Sequence, residues 1–110
     1  AKLYFRYLKN NSIFMLEEPK QYSSHVFHLF VVLTDKRKKL LSYLEENGII
    51  SLIHYPIPAH KQKSISNFRI DPKGIINSEN HSKKCLSLPC NPFLSDSELN
   101  YIIEKINDFK

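Results

Sequence analysis

Val26-Phe27-His28-Leu29-Phe30-Val31-Val32-Leu33 is the longest apolar run in the chain, interrupted only by His28. A membrane-spanning helix needs about 20 apolar residues, so this run is too short to cross a bilayer. Both of its alternating faces are apolar, which predicts a strand covered on both sides. Downstream, Thr34 or Asp35 is placed to cap a helix whose inner face is Leu40, Leu41 and Leu44, closed by Gly48. Such a helix ends on a left-handed residue that glycine adopts without strain. Ile49-Ile50-Ser51-Leu52-Ile53-His54 then predicts a second strand, ended by Pro56 and Pro58, because proline has no N–H for the ladder.

Upstream, Leu3, Tyr4, Tyr7 and Leu8 make the apolar stripe of a helix stopped by Asn10-Asn11-Ser12. A chain that opens Ala1-Lys2-Leu3-Tyr4 reads as entered within a helix rather than at a signal peptide. Glu17-Glu18-Pro19 marks a loop. Beyond the prolines, residues 59–78 have little periodicity, and Phe68 and Ile70 are read as anchors of an irregular excursion over the core. A short helix over Glu79–Lys84 and a short strand over Cys85–Leu88 follow. Ser95-Asp96-Ser97-Glu98 is a capping box, in which the serine oxygen takes a backbone N–H and the glutamate reaches back. Behind it Leu99, Ile102, Ile103, Ile106 and Phe109 recur at helical spacing. The fold class is α/β of the α+β type: a small mixed or antiparallel sheet with helices on one face.

Composition narrows the function classes. At 110 residues with 42% hydrophobic content, the chain is one globular domain burying roughly 65% of its unfolded surface. Net charge is +5, and its densest run is Lys36-Arg37-Lys38-Lys39. That run opens a helix while the other lysines are scattered, so no single basic face with exposed aromatics forms and nucleic acid is not an expected partner. Cys85 and Cys90 are too few for a disulfide framework and read as reduced cytoplasmic thiols. A Cys-x4-Cys spacing that contains Pro89 and lacks a second ligand pair gives no metal site, even with His81 nearby.

The chemistry-bearing stretch is His54-Tyr55-Pro56-Ile57-Pro58-Ala59-His60-Lys61-Gln62. Two imidazoles and a phenol leave a strand end on a turn stiffened by two prolines, a setting suited to an anionic or hydroxyl-rich ligand. The same groups could instead bond backbone atoms of their own loop.

Together with its surroundings this stretch resembles the DegT/DnrJ/StrS sugar aminotransferases. Ser24 with His28-Leu29-Phe30-Val31-Val32 resembles their SxxxHLFVV strand. Arg37, Leu40, Leu44 and Gly48-Ile49 resemble the following helix. His54-Tyr55-Pro56, Pro58, His60 and Gln62 resemble the HYP.P.H.Q segment, and Glu79, Leu86-Ser87-Leu88-Pro89, Pro92 and Leu94 the closing unit. Each pattern is modest alone, but four in register are specific.

The resemblance implies the small domain of a fold-type I enzyme that uses pyridoxal phosphate (PLP), with residues 1–20 ending an inter-domain helix and linker and 21–110 forming the C-terminal domain. It implies a nucleotide-sugar substrate, an amino-acid donor, a homodimer in the cytoplasm, and no membrane. His54 and Tyr55 would position the substrate, with His60 and Gln62 on its rim. His28 reads equally as a core histidine with a backbone partner or as a contact. No lysine here suits a Schiff base: Lys61 and Lys63 lie in a polar setting that would not depress an amine pKa. Gly48 and Gly74 are the only glycines, too few for a phosphate cup. Catalytic residues are therefore expected outside this chain, which alone would be inert. The alternative is a free-standing α/β ligand-binding or regulatory module.

Overall fold

The computed structural model describes residues 1–65, 69 and 71–110; the expectation for Phe68 and Ile70 falls outside them. Among the described residues the order is α1 (Lys2–Tyr7), β1 (Phe14–Met15), β2 (Phe30–Leu33), α2 (Arg37–Glu46), α3 (Ile76–Lys84), β3 (Cys85–Leu88) and α4 (Asp96–Asp108), with single 3-10 turns at Tyr22–Ser24 and Ala59–Lys61. The sheet is antiparallel throughout, in the order β1-β2-β3. Helices α1 and α4 pack on each other, and α2 lies against β3.

One sheet face is the core. Phe30 and Val32 of β2 and Leu86 and Leu88 of β3 point to it, where they meet Leu40, Leu44, Ile102, Ile103 and Ile106. Tyr4 is buried there too, its ring tilted against Phe30 and its hydroxyl donating to the Pro89 carbonyl at 2.8 Å. Burial pushes that phenol's pKa up. Deleting a fully buried Leu or Ile from such a core costs about 2–5 kcal/mol, because the cavity left behind collapses only partly.

The α4 capping box is formed in full: Glu98 N–H donates to Ser95 Oγ at 3.3 Å and Ser95 N–H to Glu98 Oε2 at 2.8 Å. Gly48 ends the α2 unit at φ +72°, as expected.

Four expectations are corrected. The run from Val26 does not form a strand until Phe30; Val26 is 92% exposed and Phe27 has φ 47°. The register pairs Phe30 with Leu88, so Leu29 falls opposite Pro89, which has no N–H to give. His28 is accordingly exposed and is no core histidine. Residues 49–54 make only an isolated bridge, Leu52 with Ser87. Here Ile50 falls opposite the same Pro89, and Pro56 blocks the other end. Neither Thr34 nor Asp35 caps α2: Thr34 Oγ1 accepts from Lys36 N–H at 3.1 Å ahead of the helix, and Asp35 pairs with Lys84 at 2.8 Å. Strand β1, with Phe14 opposite Leu33 and Met15 opposite Val32, has no counterpart in the sequence reading.

Candidate functional site

The bridge sets the site's geometry. Leu52 N–H donates to Ser87 O at 3.2 Å and Ser87 N–H to Leu52 O at 2.8 Å. Directly opposed residues, and those two positions along, share a face. Ile50, Leu52 and His54 therefore lie with Ser87 and Val31 on the sheet face away from the core, while Ile49 and Ser51 are buried on the core side. That outer face is open along this edge segment, where Ile50 is 80% and Leu52 56% exposed, while Ser87 and Cys85 on β3 are buried.

His54 sits where this extended segment leaves the sheet. Its Nδ1 lies 3.0 Å from Ser87 Oγ, and its ring stands edge-on to Tyr55 at 5.5 Å between centroids. The His54–Tyr55 peptide is cis. Tyr55 projects outward, 70% exposed, and the Cys85 thiol approaches its carbonyl at 3.9 Å. His54 and Tyr55 thus form one corner, held from beneath by β3.

His60 and Gln62 are held elsewhere. The 3-10 turn at Ala59–Lys61 aims His60 Nε2 at Glu79 Oε1 of α3, 3.1 Å away, and Lys61 Nζ reaches the same oxygen at 2.8 Å. These bonds, Lys61 first and then His60, hold the Glu79 carboxyl below the usual carboxylate range. Gln62 donates its amide to Ile57 O at 3.0 Å and closes the loop on itself. His60 lines a groove of about 350 Å³ with Ile65, Arg69, Asp71 and Ser78, which neither His54 nor Tyr55 enters. A groove of about 480 Å³ between Gly48–Ile50 and α4 also excludes all four predicted residues.

The sequence reading named Ser87 and Glu79 only as parts of patterns and missed what they do. The sequence offered only a polar residue within an apolar strand; that β3 is buried at every position, so that its serine needs a partner, appears in the fold.

Helices on one face of a small antiparallel sheet are the small-domain architecture of fold-type I aminotransferases, and solved structures agree. An aminotransferase from Brucella abortus matches 98% of this chain at TM-score 0.84 and 28% identity, using 28% of its own length. S. venezuelae DesV matches 97% at TM-score 0.84 and 28% identity, using 29% of its length. The chain belongs to the DegT/DnrJ/EryC1/StrS aminotransferase family, whose pattern matches residues 1–107. It is 38% identical over 109 residues to the dTDP-3-amino-3,6-dideoxy-alpha-D-galactopyranose transaminase of Aneurinibacillus thermoaerophilus, covering 99% of this chain and 29% of that protein. The chain therefore spans under a third of the length of these relatives.

The described residues do not fit the anchoring of PLP. Lys61 is half-exposed and its amine is already engaged by Glu79. A Cβ at Gly48 or Gly74 would meet no atom within 4 Å, so neither glycine makes room for a phosphate. Among the described residues no cluster of His, Cys, Asp or Glu could hold a metal ion, and no helix is long and apolar enough to cross a membrane.

Proposed function

We propose that this chain is the C-terminal part of a PLP-dependent nucleotide-sugar aminotransferase, with 1–20 ending an inter-domain helix and linker and 21–110 forming the small domain. The supporting observation is the outward corner. Tyr55 projects beside His54 from an anchored base, and Ile50, Leu52 and Ile57 of the same segment are exposed apolar residues that the chain's own core does not cover. Such a patch on a small domain is a surface for another polypeptide or a ligand. In this reading the corner is one wall of a pocket. PLP, its lysine and the covalent chemistry belong to the other wall.

The residues here bind and orient. The phenol of Tyr55 can donate to or accept from a sugar hydroxyl, and His54 offers a ring nitrogen beside it. His60 and Gln62 would reach the substrate only at the rim, since both already hold partners. The substrate is a keto-sugar nucleotide and the donor an amino acid. The parent is a cytoplasmic homodimer acting in amino-sugar or cell-surface polysaccharide biosynthesis.

The test is transamination of a dTDP-linked keto-sugar by the full-length protein. His54→Ala and Tyr55→Ala should each raise the KM for the nucleotide sugar about tenfold, the cost of losing one or two oriented hydrogen bonds. The 110-residue chain alone should show no turnover. An unchanged KM in both variants would remove the corner from the substrate site.

A further inference from the structure

The geometry points to Ser87 as a positioning residue that fixes His54 as an Nε2–H donor facing the nucleotide sugar, a role that rests on the substrate-side reading of His54. Ser87 is 5% exposed on β3, and its backbone N–H and C=O both pair with Leu52. The sheet therefore sets where its side chain begins. Its Oγ lies 3.0 Å from His54 Nδ1 and has no other partner among the described residues.

That isolation decides which way the bond runs. A hydroxyl has one proton to donate, and a buried one is costly to leave unpaired. If Nδ1 carried the imidazole proton and donated to Ser87, the serine O–H would have no acceptor. If Ser87 donates to Nδ1, the serine proton and the Nδ1 lone pair are both satisfied and the neutral ring keeps its proton on Nε2. Nε2 is on the far side of the ring from Ser87 and has no partner among the described residues. The half-buried ring, wedged edge-on against Tyr55, then presents a donor suited to an acceptor oxygen of a phosphate or a sugar. His60 differs: a carboxylate, Glu79, takes its Nε2.

The measurement is long-range ¹H–¹⁵N correlation on the full-length holoenzyme labelled at histidine, paired with steady-state kinetics. His54 should appear as the Nε2–H tautomer. Ser87→Ala should convert it to a mixture and raise the KM for the nucleotide sugar about fivefold, the scale of one neutral hydrogen bond, with kcat within twofold. Adding Ser87→Ala to His54→Ala should change nothing further. An Nδ1–H tautomer in the wild type, or a full Ser87→Ala effect persisting without His54, would overturn the proposal. If the tautomer and its dependence on Ser87 are found but His54→Ala leaves KM untouched, Ser87 still positions the ring and it is the substrate role of His54 that falls.

Discussion

The inner face of the small sheet and the Ile50–Leu52 edge of its outer face have opposite fates. On the inner face Phe30, Val32, Leu86 and Leu88 disappear beneath α2, α4 and Tyr4. On the outer face Ile50, Leu52 and, just beyond, Tyr55 and Ile57 are residues of the same apolar kind, left facing outward. Burial of apolar surface is the main favourable term in folding, and a 110-residue chain has little of it to spare. An outer face of this composition is therefore better explained by a purpose other than this chain's own stability. The outward corner, His54 and Tyr55, grows from that face.

The sharpest break of this comparison is a pair of truncations. Leu86→Ala removes a fully buried side chain and should cost about 3 kcal/mol in denaturant unfolding. Ile50→Ala, on the outer face, should change the stability of the 110-residue chain by less than about 0.5 kcal/mol. In the full-length protein the same Ile50→Ala should cost at least about 1 kcal/mol, because the side chain is then covered. Equal effects of Ile50→Ala in both settings would mean the outer face has no covering partner.

A smaller effect comes from the charged clamp that ties the loop to α3. Lys61, then His60, depresses the Glu79 pKa. A carboxyl whose folded pKa lies below its unfolded value contributes stability above the unfolded pKa, and that contribution is lost as pH falls through the folded one. Glu79→Gln should therefore flatten the acid limb of the stability–pH curve below about pH 4, where free glutamate titrates, and leave the neutral region nearly level. Glu79 is only partly buried and its partner Lys61 is half-exposed, which keeps the effect small. A wild-type acid limb unchanged in Glu79→Gln would show the clamp to be incidental.

Much of the inner face was legible in the sequence because it is written in local periodicity. Ser95 and Glu98 announce α4, Ile102, Ile103 and Ile106 give its buried stripe, and Gly48 marks the end of the α2 unit. The outer face was less so. Val26–Leu29 and Ile49–His54 read as strands because they are apolar, but both face Pro89 across the sheet. Register is a long-range fact that neither segment contains. Strand β1 is only two residues long, too short for any period to show. The corner residues His54 and Tyr55 were found by their chemistry and by family resemblance. Their anchor, Ser87, lies 33 positions away from His54 and becomes visible only once β3 is in place.

Hydroxyl-radical footprinting of Tyr55 compares the corner directly in the two settings. In the 110-residue chain the ring is 70% exposed and should label readily. In the full-length protein with PLP and a nucleotide sugar bound, labelling should fall severalfold while that of buried Tyr4 stays low in both. Equal, strong labelling of Tyr55 in the two samples would contradict a pocket closed over the His54–Tyr55 corner.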